Sequence, residues 1–150
     1  KEETKVISVN RKAFHDYEIL EQVEAGLVLT GSEIKSIRAG RANLGDAYAH
    51  PENGELWLVN AHIAQYPQSG THNHEPTRPR KLLLRKEQMA RLIQTVQQRG
   101  LTLIPLRLYI RRHVAKVDLG VCQGRREYDK RRVIAQRTTE REIQRALKNR

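Results

Sequence analysis

The sequence contains one cysteine, Cys122, so no disulfide can form within the chain and no cysteine-rich zinc site is available. No apolar run approaches the roughly 18–20 residues that a membrane-spanning helix needs. No apolar signal region with a cleavage site stands at the start, so nothing suggests secretion and the expected compartment is the reducing cytoplasm. Neither G-x-x-x-x-G-K-[ST] nor G-x-G-x-x-G occurs, which removes the common phosphate-loop and dinucleotide-binding classes. Aromatics are scarce, with five Tyr, one Phe and one Trp. Single-strand binders of the cold-shock kind stack bases on several exposed aromatics, and this chain is poorly supplied for that. Hydrophobic residues make up 38% of the chain, so the core is expected to be modest.

What the chain does have is positive charge. Its 150 residues carry 28 Lys+Arg against 17 Asp+Glu, a net +11, which predicts a polyanionic partner, nucleic acid or an anionic membrane surface. The charge is uneven. Residues 125–150 hold ten Lys/Arg and four Asp/Glu, so over half of the excess sits in the last 26 positions. Their apolar side chains (Val133, Ile134, Ala135, Ile143, Ala146 and Leu147) are too few to offset the entropy of ordering. They contain no Pro or Gly, and Ile143, Ala146 and Leu147 have helical spacing. The expected organisation is a body over 1–124 and a basic tail over 125–150, disordered when free and helical against a partner.

The body reads mainly as strands. Odd positions from Tyr17 to Leu29 are apolar, interrupted at Glu21, a half-buried strand pattern. Thr30-Gly31-Ser32-Glu33 has capping-box spacing before Ile34 and Ile37, which predicts a short helix ending near Gly40. Asn53-Gly54 predicts a hairpin between Ala47–His50 and Leu56–Val59. A further strand is expected over Ala61–Tyr66, then a long basic loop from Pro67 to Lys81. Met89, Leu92, Ile93 and Val96 repeat at helical spacing and stop at Gly100. Ile104, Leu106, Leu108 and Ile110 alternate, Arg111-Arg112-His113 turns the chain, and Val117, Leu119 and Val121 alternate back. Strands without regular β-α-β alternation argue for an antiparallel barrel. The expected fold class is mainly β with flanking α-helices, an OB-fold-like antiparallel β-barrel followed by the tail.

Catalytic and metal signatures are weak. His72-Asn73-His74 lacks a second ligand pair at recognisable spacing. His15-Asp16 has the composition of a nuclease acid–base pair, but neighbours on an extended chain point to opposite sides. Cys122 reads as packing, as do Tyr17, Trp57 and Tyr109. Basic residues cluster at Arg11-Lys12, at Lys35/Arg38/Arg41, at Arg78/Arg80/Lys81 and through the tail. A solvated helix face is the plain reading of Lys35 and Arg38; contact with RNA phosphates is the functional one.

An ordered set of segments carries a resemblance. Asn10 to Tyr17, Glu24-Ala25-Gly26, and Leu29 to Gly40 (LTGSEIKSIRAG) are similar to the small protein B family, the SsrA-binding proteins that partner transfer-messenger RNA. So are Ala61-His62-Ile63, Asn73-His74-Glu75-Pro76, Arg80 to Leu84, Gly100-Leu101-Thr102, and Gly124 with Tyr128-Asp129-Lys130-Arg131. The resemblance implies an OB-fold barrel that clamps the tRNA-like domain of transfer-messenger RNA and delivers it to ribosomes stalled on messages without a stop codon. It implies a tail that enters the empty message channel near the decoding centre. It implies no enzyme activity, cofactor or metal.

Carried across by motif, the implied RNA contacts are Asn10, Glu24, Leu83 and Lys116. A carboxylate near RNA makes sense as an acceptor for a base amino group or as an orienter of a neighbouring cation, and Glu24 is open between the two. Leu83 is open between packing on a nucleotide and plain core. Arg11, Lys12, His15, Lys35, Arg38 and Arg41 are added from charge and proximity. In the tail, Tyr128, Asp129, Lys130 and Arg131 match the ribosome-engaging segment. Expected partners are transfer-messenger RNA and small-subunit rRNA, with elongation factor Tu and alanyl-tRNA synthetase engaged through the RNA, and a monomeric chain. Two other readings predict different behaviour: a general OB-type RNA binder or chaperone, and a small ribonuclease using His15.

Overall fold

The computed structural model describes residues 4–124; the tail, with Tyr128, Asp129, Lys130 and Arg131, lies outside the described residues. In chain order the elements are β1 (Thr4–Val9), α1 (Arg11–Asp16), β2 (Tyr17–Leu27), α2 (Gly31–Arg38), β3 (Ala42–Asn43), β4 (Tyr48–Glu52), β5 (Glu55–Val59), β6 (His62–Ile63), β7 (Arg80–Leu83), α3 (Lys86–Arg99), β8 (Thr102–Arg111) and β9 (Val114–Gly124). Strands pair in the order β8-β4-β5-β7-β2-β9, and β9 returns to β8, closing a six-stranded antiparallel barrel. This is the expected mainly-β class. One edge of β8 is shared: its start meets β4 at Leu103 and Ala49, and its end carries β1 from Arg107 to Arg111.

Alternation fills the interior. Val23 and Ala25 of β2, Leu56 and Leu58 of β5, Leu82 of β7, Leu103 and Leu108 of β8, and Val117, Leu119 and Val121 of β9 are all buried in one cluster. The β4–β5 hairpin turns on Asn53 and Gly54, both at positive φ, as the Asn-Gly pair predicts. α3 sets Met89, Leu92, Ile93 and Val96 on the barrel core and ends at Gly100 in the left-handed region. α2 carries the full capping box, Thr30 accepting from the Glu33 N–H and Glu33 accepting from the Thr30 N–H.

Several expectations are corrected. Residues 11–16 form α1, so His15-Asp16, read as lying on an extended chain, is helical. A helix of six residues shows too little periodicity to be read from sequence. It is held by the Asn10 cap and by packing of Ala13 and Phe14 against Ile104, Leu106 and Cys122. Strand β1 was not anticipated. The strand expected over Ala61–Tyr66 shrinks to β6, and the expected loop from Pro67 contains a short 3-10 helix before β7 begins at Arg80. A bulge between Pro105 and Arg107 changes which side chains face inward. Ile104 and Leu106 therefore point to α1, whereas Leu108 points into the barrel. A second bulge, between Ile19 and Glu21, accompanies the polar break in β2; Glu21 there takes a two-pronged hydrogen bond from Arg91 of α3, at 2.7 and 3.1 Å.

Candidate nucleic-acid interface

Strand register builds a row across the outer face of the barrel. Tyr109 stands opposite Lys116, Lys116 opposite Gly26, and Gly26 opposite Leu83. Residues directly opposite share a face, so β8, β9, β2 and β7 each contribute one position. Glu24, two residues before Gly26, lies on the same face and pairs with Asp118. The alternation that turns Val117 and Leu119 inward is what turns Lys116 and Asp118 outward.

Glu24 is held rather than free. The Tyr109 hydroxyl and the Arg111 guanidinium both donate to its Oε2, and the Lys116 ammonium is 3.9 Å from Oε1. The Tyr109 hydroxyl also lies 3.1 Å from Asp118, and Arg107 is 3.6 Å from the same carboxylate. The Tyr109 bond, helped by Arg111 and Lys116, holds the Glu24 carboxyl below its ordinary value against the opposing effect of burial. Burial, then the Glu24 carboxylate, pushes the Tyr109 phenol upward, so it stays a donor. Of the two roles open for Glu24, orienter of neighbouring cations is the one this geometry exhibits.

Leu83 settles against the core reading: it is 48% exposed, while its neighbour Leu82 is fully buried. Gly26 leaves room beside it, since a Cβ there would sit 3.4 Å from the Leu83 Cβ. An exposed leucine next to a lysine and an anchored carboxylate is suited to an unstacked nucleotide with its phosphate.

Asn10, an expected RNA contact, stands at the N-terminus of α1. Its side chain is buried, accepts from the Ala13 N–H at 3.1 Å, and donates to Pro105 O at 3.0 Å and Leu44 O at 3.3 Å. These bonds seat α1 on β8, so Asn10 positions its neighbours. Arg11 and Lys12 are exposed on α1, with Lys12 3.6 Å from Asp46 across a cleft of about 310 Å³. His15 is exposed and its Nδ1 lies 2.8 Å from Asp16 Oδ1. The expectation that the two side chains diverge is therefore corrected, because this segment is helical.

Lys35, Arg38 and Arg41 form a separate exposed group on and after α2, which packs on β6; Lys35 lies 5.8 Å from the Tyr66 ring centroid. Among the described residues, this group lies apart from Glu24 and Lys116, on α2 rather than on the β2–β9 face. In the third basic cluster Arg80 is internal, whereas Arg78 and Lys81 are half-buried. Arg80 is fully buried, paired with Glu33 and donating to Ala61 O and Pro76 O. Arg78 grips both oxygens of Glu33 and Lys81 pairs with Glu55. His74 is buried, with Nε2 donating to Ile63 O and Nδ1 bonded to the Ser32 hydroxyl, so both ring nitrogens are committed. Burial pushes the Cys122 thiol up to about 11, consistent with packing.

In the sequence Tyr109 reads only as packing and Arg111 only as a turn residue, while Arg107 and Asp118 carry no motif. Their signal was present in the alternation, since inward Leu108 and Ile110 require outward Tyr109 and Arg111. What it could not reveal is that Glu24, 85 positions earlier than Tyr109, lies beside them.

The fold and this face define a small closed barrel with cations, an anchored carboxylate and an exposed leucine side by side on its outer surface. A family model described as SmpB protein matches residues 7–149. An SsrA-binding protein of Desulfitobacterium hafniense is 55% identical over 145 residues, spanning 97% of this chain and 93% of that protein. One from Roseiflexus castenholzii is 56% identical over 147 residues, spanning 97% and 93%. A solved chain from a study of tmRNA-SmpB and the bacterial ribosome superposes with a TM-score of 0.70 at 47% identity, covering 89% of this chain and 94% of that one. The chain belongs to the SmpB family.

Proposed function

We infer that this chain is an RNA-binding adaptor of trans-translation. It binds transfer-messenger RNA and brings it to stalled ribosomes. The observation that carries the reading is the cross-strand row of Lys116, Gly26 and Leu83 beside Glu24, which sets a cation and an exposed apolar side chain together on one face. The names of its relatives supply the RNA, and the ribosome structure of its neighbour supplies the setting.

In this reading the barrel, 1–124, takes the tRNA-like domain through Glu24, Leu83 and Lys116. Arg11, Lys12, His15, Lys35, Arg38 and Arg41 supply phosphate contacts to the RNA or the ribosome, and Asn10 holds α1 in place. The tail, 125–150, probes the vacant message channel with Tyr128, Asp129, Lys130 and Arg131. The protein works as a monomer in the cytoplasm without a cofactor or a catalytic centre of its own, and elongation factor Tu and alanyl-tRNA synthetase join through the RNA. A general chaperone reading is less supported, because Tyr17, Trp57 and Tyr109 are half-buried or buried rather than offered as a stacking platform.

Deleting residues 125–150 tests the division. Affinity for the tRNA-like domain is expected to stay within about threefold at physiological salt, where the Debye length is roughly 8 Å, while rescue of stalled ribosomes is lost. Loss of most RNA affinity in the truncated chain would overturn the assignment of recognition to the barrel.

A further inference from the structure

Gly26 of β2 and Gly120 of β9 stand inside the long strands of the barrel for different reasons. A Cβ built on Gly120 would come within 2.8 Å of Leu106 Cδ1 and 3.1 Å of Cys122 Sγ, so the packing beneath α1 leaves no space for a side chain. Gly26 has no such neighbour. Its φ is not in the left-handed region, and the three atoms nearest to a Cβ built on it all belong to Leu83, at 3.4, 3.7 and 4.0 Å. That is ordinary contact with a half-exposed side chain. Glycine inside a strand lowers stability through chain entropy and lost cross-strand packing. At position 26 nothing within the fold requires that loss.

The surroundings say what the bare position accommodates. Gly26 pairs with Lys116 on one side and with Leu83 on the other, so the three share the outer face. With strands spaced about 4.7–4.9 Å, the lysine and the leucine stand roughly 10 Å apart with only the β2 backbone between them. One nucleotide spans such a gap, because its base, sugar and phosphate follow one another in that order. The apolar end continues at Val28, which is 46% exposed and donates its N–H to Lys81 O at 3.0 Å. The cationic end is backed by Glu24, 3.9 Å from the Lys116 ammonium.

Resting on the RNA reading above, we propose that Gly26 is a close-approach position for RNA. The ribose of one nucleotide lies directly on the β2 backbone there, its base against Leu83 and its phosphate at Lys116. The missing side chain lets the sugar reach the sheet, so Gly26 sets how near the RNA comes and allows both flanking side chains to touch it at once. The ligand chemistry is a single ribonucleotide unit of a folded RNA.

The test uses the full chain and the transcribed tRNA-like domain of transfer-messenger RNA, titrated at physiological salt, alongside thermal unfolding. Gly26→Ala and Gly26→Val restore a side chain in two sizes. Both are expected to keep the unfolding midpoint or raise it by up to about 5 °C, because extended backbone accepts either residue. RNA affinity is expected to fall about threefold for alanine and about tenfold or more for valine, an order set by bulk. A purely structural glycine would not move stability and binding in opposite directions. Gly31→Ala adds the same methyl at the exposed start of α2, where a Cβ meets nothing within 4 Å, and should leave affinity unchanged. In a Leu83→Ala background, Gly26→Val should still weaken binding, because the clash is with the RNA and not with Leu83.

Unchanged affinity in Gly26→Val would overturn the proposal. So would an unfolding midpoint that falls in step with affinity, which would make Gly26 a bend in the barrel wall. A valine effect that disappears in the Leu83→Ala background, or an equal loss from Gly31→Ala, would overturn it too. If the unmodified chain binds this RNA no better than an unrelated tRNA, it is the RNA reading that fails, and the Gly26 assignment falls with it. Tight selective binding with silent Gly26 variants refutes the Gly26 assignment alone.

Discussion

Arg80 and Glu33 meet at 2.7 Å with neither side chain reaching solvent. Glu33 caps α2 and Arg80 opens β7, so this one pair ties the helix to the barrel wall. The remaining valences are also used: Arg78 and the Thr30 N–H donate to Glu33, and Arg80 donates to two backbone carbonyls. Removing Arg80 takes away the fully buried cation of Glu33, leaving it to the half-buried Arg78, and strips two interior carbonyls of their donor. Arg80→Ala is therefore expected to cost about 3–5 kcal/mol in urea unfolding. A cost below about 1 kcal/mol would mean that water reaches Glu33 in the folded protein.

The same pair gives a pH dependence of definite sign. Burial alone would raise the Glu33 pKa, but Arg78, the Thr30 N–H and Arg80 outweigh it and hold the carboxyl below its ordinary 4.5. A carboxylate depressed in the folded state adds stability above its unfolded pKa, and that contribution is lost as pH falls through the folded pKa. Stability should thus decline in acid below about pH 4.5, and Glu33→Gln, though weaker at neutral pH, should show a shallower decline. An identical acid slope in the variant would assign the effect to other carboxylates such as Glu21 and Glu24, which are depressed in the same direction.

Asn10 separates positioning from recognition. Asn10→Ala removes the α1 cap and leaves two buried carbonyls without their donor, an expected loss of about 1–3 kcal/mol in stability. RNA affinity should fall only as far as α1 is displaced, with the salt slope unchanged. A slope change without a stability change would make Asn10 a direct contact.

Leu83 makes the converse case. Because it is half exposed, Leu83→Ala is expected to alter stability by less than about 0.5 kcal/mol, whereas a core leucine would cost about 2–5 kcal/mol. Binding to the tRNA-like domain should nevertheless weaken severalfold. Loss of fold stability with unchanged RNA affinity would return Leu83 to the core reading.

The barrel was legible in the sequence wherever one rule acted alone. Alternation at Val117, Leu119 and Val121 marked β9, Asn53-Gly54 marked its hairpin, and the spacing of Met89 to Val96 marked α3. Where two rules conflict, the sequence is silent about which prevails. The bulge at Pro105 shifts Ile104 and Leu106 to the α1 side, yet four alternating residues from 104 to 110 read as one face. Three consecutive leucines at 82–84 cannot say which one faces out. Arg80 lies in a basic, proline-rich stretch and looks like a surface charge until Glu33 is seen beside it, 47 residues away in sequence. Glu24, Leu83 and Lys116 came from family motifs, and their nearness in space came from strand register. Tyr109 and Arg111 needed both.

On the proposed function, this face takes one particular RNA. Sequencing the RNA that co-purifies with the tagged full-length protein from its own cells, at moderate salt, tests it most directly, with a Leu83→Ala/Lys116→Ala protein processed in parallel. Strong enrichment of a single RNA that combines a tRNA-like end with an internal reading frame is expected, with loss of that enrichment in the double variant. A broad mixture tracking cellular abundance, equal for both proteins, would contradict it.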